Sequence, residues 1–365
     1  MPRSAEKFDA VAGRKTSRLA PFSRRDRFDI PLGGSRCRLG ERTIICGIVN
    51  VTPDSFSDGG RYLDPERAIL HALDMAREGA DWIDVGGEST RPGASPVTLE
   101  EELRRVLPVV RGIRRWAPEL PISIDTTKAV VAAQAIRAGA SLINDISGLR
   151  FDPAIAEVAR SARVPLVLMH LRGRPATMQR GPFAREIFRS LFSGLRWSVE
   201  RALAMGVRRS QLIVDPGLGF GKAPLQNFEI MAGLGKLRRL RLPILVGASR
   251  KSFVRLAVCG GHEPVAQSSA FQKLCGLSHA QDTSRGDTRL LRAISSHART
   301  IPDRRRVTRR PGNRADLLPA DLDFADAAAV AGVILAGAHV VRVHNVRAAR
   351  AAARIADAIL AAARE

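Results

Sequence analysis

Short apolar runs rich in valine and isoleucine recur along the chain. Each is followed by a polar or glycine-bearing segment and then by a stretch of helical periodicity. The runs are Thr43–Val49, Asp81–Val85, Pro121–Ile124, Ser141–Ile143, Pro165–Met169, Gln211–Val214, Pro243–Val246 and His339–Val343. Between them apolar residues fall three and four apart, as at Ile69, Ala72, Leu73 and Ala76, or at Leu103, Val106, Leu107 and Val110. That spacing lines one face of a helix, whereas continuous apolar runs suit strands buried on both faces. Strand and helix in alternation imply parallel strands joined by crossover helices. Eight such units predict closure into an α/β fold of the (β/α)8, or TIM, barrel type. The competing arrangement is an open doubly wound sheet. That fold normally carries a glycine-rich dinucleotide turn after its first strand, and here the first run enters Asn50-Val51-Thr52-Pro53 instead.

Two segments fall outside this rhythm. Residues 1–33 lack periodicity and read as a basic, flexible N-terminal extension, which assigns 34–365 to the barrel. Cys37 to Arg42 is predicted to form a short hairpin ahead of the barrel, with Gly40 in its turn. Between the seventh and eighth runs, residues 262–318 carry Gln, Ser, His and Arg without a stable period. Structureless loops of that length are uncommon inside a compact domain. The segment therefore reads as a disordered insertion between strands 7 and 8, with the helical pattern resuming at Phe324–Leu335.

Composition narrows the function classes. The 365 residues are 45% hydrophobic, enough for a sizeable core, and carry a net charge of +22. Arginines and lysines in the first forty residues, with the cluster from Arg304 to Arg314, supply roughly half of that excess. No recognisable nucleic-acid module accompanies them, and aromatic residues are only 5%, so nucleic acid is not the expected partner. The moderate basicity that remains suits a phosphorylated or carboxylated small molecule. Cys37, Cys46, Cys259 and Cys275 make no CxxC pair and no zinc spacing, and read as reduced thiols of a cytoplasmic protein. No apolar run is long enough to span a membrane, and the N-terminus lacks the apolar core of a signal peptide.

In a barrel the C-terminal strand ends face the active site. The first run ends at Asn50, ahead of Thr52, Asp54, Ser55, Ser57 and Asp58. The second reaches Asp84 and then Gly86-Gly87-Glu88-Ser89-Thr90-Arg91-Pro92-Gly93. Asp125, Asn144-Asp145, Met169-His170 and Asp215-Pro216-Gly217 follow the next four. The seventh ends at Gly247, before Ser249-Arg250-Lys251-Ser252, and the eighth carries Arg342 and His344 on one face. Singly these have plain structural explanations: Asp125-Thr126-Thr127 suits a helix cap, and Asp215-Pro216-Gly217 an ordinary turn. Together, carboxylates and amides at five ends suit a ligand rich in N–H donors, while Arg91, Lys251, Arg342 and His344 suit anions. The segment from Ser249 to Ser252 opens a helix directly after a buried strand, where unpaired N–H groups and the helix dipole attract negative charge. The first two loops, rich in Gly, Pro, Ser and Thr, read as mobile covers. No Ser-His-Asp order and no paired-His metal motif is present.

The longer segments match a known pattern. Gly47-Ile48-Val49-Asn50-Val51-Thr52-Pro53-Asp54-Ser55-Phe56-Ser57-Asp58-Gly59-Gly60 resembles the first signature of the dihydropteroate synthases, and Asp84 to Gly93 resembles the second. Asp215 to Lys222, Gly247 to Ser252 and Arg342-Val343-His344 resemble further blocks in the expected order. The resemblance implies a pterin-binding TIM barrel that joins p-aminobenzoate to a dihydropterin pyrophosphate, releasing pyrophosphate and making dihydropteroate for folate. It implies pterin contacts by Asp125, Asn144, Met169, Asp215, Phe220, Gly247, Lys251 and Arg342. Pyrophosphate would lie near Asn50, Thr90, Arg342 and His344, with Mg²⁺ held in part by Asn50. The p-aminobenzoate pocket would use Phe56, Thr90, Arg91, Pro92, Ser249 and Ser252. Catalytic roles would fall to Asp58, Lys251, Arg342 and His344. A homodimer paired through the last helices and sensitivity to sulfonamides are also implied. The insertion and the basic extension depart from the family pattern. A corrinoid-dependent methyltransferase on the same barrel and a pterin-binding paralogue without turnover are the competing readings. The complete first two loops speak against the methyltransferase.

Overall fold

Continuous apolar strands can only be satisfied by cover on both faces, and the chain supplies it with a closed barrel inside a ring of helices. A computed structural model describes residues 22, 25–52, 64–89, 94–175, 177–179, 183–259 and 319–363. The barrel strands are β3 (Ile44–Asn50), β4 (Trp82–Gly86), β5 (Ile122–Asp125), β6 (Leu142–Asp145), β7 (Leu166–Met169), β8 (Leu212–Asp215), β9 (Leu245–Val246) and β10 (Val340–Val343). Neighbours pair in parallel from β3 through β8, and β10 pairs with both β3 and β9. A parallel bridge between Val214 and Ile244 joins β8 to β9 and closes the ring. The eight strands expected from the apolar runs are therefore all present, within two residues of their predicted limits.

The helices are α1 (Pro65–Glu78), α2 (Leu99–Trp116), α3 (Ala129–Ala138), α4 (Ile155–Ala162), α5 (Ile187–Ala204), α6 (Pro224–Ala232), α7 (Ser252–Cys259), α8 (Pro319–Leu335) and α9 (Val346–Ala362). Local chemistry sets their ends. Asp64 caps α1 by accepting from the N–H groups of Glu66 and Arg67, and Thr98 caps α2 through Glu101 N–H. Gly79 ends α1 at φ 106°, a left-handed conformation that glycine adopts without steric cost.

Strand periodicity then separates floor from site. Side chains at Ile44, Cys46, Trp82, Leu142, Val167, Ile213, Leu245 and Val340 form one apolar cluster inside the barrel. Two residues further along these strands stand Ile48, Asp84, Asn144, Met169, Asp215, Gly247 and Arg342, on the same inward face. The alternate residues, among them Ile83, Val85, Ile143, Leu168, Val214 and Val341, pack outward against the helices. On β4, β6, β8 and β10 a two-residue step thus leads from packed floor to polar rim.

The N-terminal boundary differs from expectation. Residues 28–32 are not extension but β1 (Phe28–Leu32), paired antiparallel with β2 (Ser35–Leu39). The turn is Gly33-Gly34, with φ of 58° and 80°, not Gly40. A two-residue hairpin loop with both φ values positive favours glycine, which reaches that region without steric cost, and the glycine pair supplies it twice. Ile30, Leu32 and Leu39 plug the lower mouth of the barrel by joining the floor cluster. Arg25 is buried and donates to Thr43 Oγ1 at 2.8 Å and to Asp357 Oδ1 at 2.5 Å, so the fold begins by residue 25. The expected insertion at 262–318 and the first twenty-one residues lie outside the described residues.

Candidate active site

At the upper mouth the strand ends surround a cavity of about 770 Å³. Asn50, Asp125, Phe220, Lys251, Arg342 and His344 are among its lining. These six residues come from five different strand ends, a convergence that local capping would not require.

The centre is an arginine held between two carboxylates. Arg342 on β10 donates from Nε to Asp84 Oδ2 at 2.5 Å and from Nη2 to Asp125 Oδ2 at 2.6 Å. These bonds lie in the guanidinium plane and leave its flat face available for stacking. Asn144 donates its Nδ2 to the same Asp84 oxygen at 3.1 Å, which leaves its amide carbonyl to meet a donor. Asp84 is almost wholly buried. It stood at a strand end in the sequence, but no role for it was legible there. Its part becomes visible only when three strands are brought together around it.

Asp125 does not cap a helix. The residue ahead of α3 is Lys128, and Thr126 turns its hydroxyl to Glu102 Oε1 at 2.6 Å. Asp215 serves its own turn with one oxygen, accepting from Gly217 N–H at 2.7 Å. Burial pushes the Asp125 carboxyl up to about 7, against the lowering pull of Arg342. Burial likewise raises Asp215 to about 6, while backbone N–H and lysine charges oppose it. Lys251, with Nζ 4.3 Å from the centre of the Phe220 ring, is pushed down to about 8 by burial and then by Arg342. Met169, Phe220 and Met178 form a separate apolar cluster along one wall.

The loop after β8 is braced from within. Lys222 is fully buried and donates to the carbonyls of His170 and Phe220 at 3.1 and 2.9 Å. It fixes the Phe220 wall to the end of β7. The sequence contained Lys222 in a matched block without revealing that function. Behind the second loop, Lys128 bridges Glu88 and the buried Glu102 at 2.6 and 2.5 Å. Glu88, Ser89, Asn50 and Thr52 border the cavity where the first two loops depart.

Ser252 opens α7, and Gly247 ends the seventh strand opposite Arg342. Ser249 differs from expectation. Its buried hydroxyl is committed to Asp326 at 2.8 Å and His344 at 3.1 Å, rather than presented to a carboxylate. Phe56, Asp58, Thr90, Arg91 and Pro92 lie outside the described residues. Among the described residues, no group of three or more His, Cys, Asp and Glu side chains could hold a metal ion by itself. Among them too, no helix is long and apolar enough to cross a membrane.

Residues 46–283 match the family model described as pterin binding enzyme. The chain is 47% identical over 229 residues to the dihydropteroate synthase of Synechocystis, covering 62% of this chain and 78% of that one. The chain belongs to the dihydropteroate synthase family. These transferases act in folate biosynthesis. Solved family structures agree over nearly the whole molecule. The Xanthomonas albilineans dihydropteroate synthase with 4-aminobenzoic acid has a TM-score of 0.70 and 33% identity, covering 92% of this chain and 99% of its own. The Yersinia pestis dihydropteroate synthase in complex with a sulfonamide drug has a TM-score of 0.68 and 32% identity, covering 92% and 100%.

Proposed function

We propose that the upper cavity binds a dihydropterin pyrophosphate beside p-aminobenzoate and joins them into dihydropteroate. The observation that carries this reading is the convergence of Asp125, Asn144 and Asp215 with Lys251 and Arg342 at the barrel mouth. A pterin's amino-pyrimidinone edge presents parallel N–H donors, which suit carboxylate and amide acceptors. Met169 and Phe220 would flank the ring, Gly247 would allow it close approach, and the face of Arg342 would stack on it.

The C–O bond to pyrophosphate breaks first, leaving a methylene cation that the pterin ring delocalises. The amine nitrogen of p-aminobenzoate then forms the C–N bond, and its surplus proton passes to solvent. Arg342 and His344 stabilise the charge that gathers on pyrophosphate, an effect commonly worth about 3 kcal/mol for each well-placed donor. Asn50 offers an amide oxygen, a hard donor of the kind Mg²⁺ takes, so the residue fits a partial ligand role. Asn50 would hold Mg²⁺ in part, and the bound ion would supply charge neutralisation at the phosphate groups. The N-terminus of α7 at Ser252 faces the aminobenzoate carboxylate, and Phe56, Thr90, Arg91 and Pro92 complete that pocket, with Asp58 ordering the first loop. Pairing of two copies is supported by Phe324 and Ile355, exposed on α8 and α9 at 74% and 65%. A cytoplasmic location belongs to the same reading.

The deciding assay measures pyrophosphate released from the pterin pyrophosphate with and without p-aminobenzoate. Release that depends on both substrates supports the proposal, and none with both present sinks it. A p-aminobenzenesulfonamide is expected to inhibit competitively against p-aminobenzoate, and full activity at saturating sulfonamide contradicts the assigned pocket. The kcat/KM for the pterin substrate is expected to rise from pH 5.5 as Asp215 and Asp125 ionise near 6 and 7. It should fall above about 8 as Lys251 loses its proton. A profile flat from 5.5 to 8.5 contradicts roles for all three.

A further inference from the structure

Three charged side chains meet behind the point where the second loop leaves β4. Lys128, between β5 and α3, donates from Nζ to Glu88 Oε2 at 2.6 Å and to Glu102 Oε2 at 2.5 Å. Glu102 is fully buried in the first turn of α2, and its other oxygen accepts the Thr126 hydroxyl at 2.6 Å. The Lys128 backbone N–H in turn donates to that hydroxyl at 3.2 Å. Gly87, just ahead of Glu88, lies close against α2. A Cβ there would come within 2.8 Å of the Val106 side chain and 3.1 Å of Glu102 Cγ. The Gly87 carbonyl accepts from Arg105 Nη1 at 2.9 Å. The start of the second loop is thus held from two sides, by α2 and by the connection between β5 and α3.

Stability alone does not call for this arrangement. Taking a carboxylate and an ammonium out of water costs about as much as their attraction returns, and well-packed apolar side chains often serve as well or better. An ion pair supplies what apolar packing lacks, a fixed direction. Lys128 satisfies both carboxylates only where its Nζ stands between them. That direction matters because of what lies at either end. Glu88 and Ser89 line the cavity on one side, and Asp125, three residues before Lys128, lines it too. Asp125 has a hold of its own in its bond to Arg342 at 2.6 Å. The end of the brace that depends on Lys128 is therefore Glu88.

We infer that Lys128 is a positioning residue for p-aminobenzoate: through Glu88 it sets where the second loop departs, and so the wall that this substrate meets. Lys128 itself stands behind the residues that line the cavity, so its effect is carried by Glu88. The inference rests on the proposed reaction and on the second loop forming part of the aminobenzoate pocket.

Glu88→Gln removes the charge at one end of the brace and keeps the size. Glu102 retains Lys128 and Thr126, so the urea midpoint should match wild type. KM for p-aminobenzoate should rise roughly tenfold, a partial form of the hundredfold that a misplacement of about 1 Å can cost. Calorimetric affinity for the pterin pyrophosphate should not change. Lys128→Met should show the same split between the two substrates. It also leaves buried Glu102 without its cation and should lower the midpoint. The double variant separates positioning from direct contact. If Glu88 acts through Lys128, E88Q with K128M should raise KM no further than K128M alone. Multiplied effects would mean that Glu88 meets the substrate independently of Lys128. Unchanged KM in E88Q, multiplied effects in the double variant, or a K128M protein that loses pterin affinity along with p-aminobenzoate recognition each overturns the inference. Wild type that releases no pyrophosphate with both substrates refutes the proposed reaction and the inference with it, whereas normal wild-type turnover beside an unchanged E88Q refutes the inference alone.

Discussion

Replacing Arg342 with methionine is expected to destabilise the protein by about 3–5 kcal/mol, the usual cost of removing one partner from a buried ion pair. Arg342 neutralises two carboxylates at once, Asp84 and Asp125, at 2.5 and 2.6 Å. Asp84 has no reserve: its Oδ1 is already buried without a hydrogen-bond partner, and only Asn144 would remain on Oδ2. Lysine should not rescue, because a point charge cannot span both carboxylates as a planar fork does. Arg342→Met with Asp84→Asn should recover much of the loss, since the uncompensated charge is then gone. The pH dependence carries a definite sign. The Asp125 carboxyl already stands at about 7, above its ordinary 3.8, so its neutral form stabilises the fold. That contribution is complete below 3.8 and is lost as pH rises through 7. Arg342 opposes this rise, so its removal should push the group further up and deepen the deficit at alkaline pH. Urea unfolding at pH 5.5 and 8 measures both effects, and equal midpoints for variant and wild type at the two values would refute the role of the clamp. Turnover should fall by roughly 100-fold in the same variant if Arg342 also meets the departing pyrophosphate.

The clamp illustrates what was legible in the sequence and what was not. The eight strands could be read because each is an uninterrupted apolar run, and burial on both faces leaves few other fates for such runs. Asp125, Asn144, Asp215, Lys251 and Arg342 could be picked out because strand ends in a barrel share one rim. Asp84 stood at a strand end too, but nothing in the sequence gave it a role. It sits two residues beyond Trp82 in the floor, and its importance comes from β6 and β10, which lie far away in sequence. Lys222 and Asp326 are similar cases: one reaches two carbonyls and the other a serine 77 residues away. The N-terminal boundary failed for another reason. Phe28, Ile30 and Leu32 do alternate with Asp29 and Pro31, but over only five residues, and the segment is fixed by the floor it covers and by the Arg25–Asp357 pair.

Asp125→Ala is expected to weaken binding of the pterin substrate by about 100-fold, with KM for p-aminobenzoate little changed. A hydrogen bond to a charged acceptor contributes roughly 1.5–3 kcal/mol, and a ligand donor left unpaired in a dry site adds its desolvation cost. At 1.4 kcal/mol for each tenfold change, the sum is near two orders of magnitude. A purely structural Asp125 would behave otherwise. It would lower the unfolding midpoint and leave affinity alone, whereas the observed geometry gives α3 a different N-terminal residue and leaves Arg342 its second partner in Asp84. Asp125→Asn should fail nearly as badly, because an amide offers a single acceptor and sets its own N–H₂ against the ligand's donors. The pH dependence of binding separates the two roles further. Wild-type affinity should tighten from pH 5.5 to 7.5 as the carboxyl at about 7 ionises. The alanine variant should retain only the earlier rise near 6 that belongs to Asp215. Titration calorimetry at those two pH values reads both quantities at once. Affinity in the alanine variant equal to wild type at pH 7.5, where the carboxylate is ionised, would remove Asp125 from the pterin site.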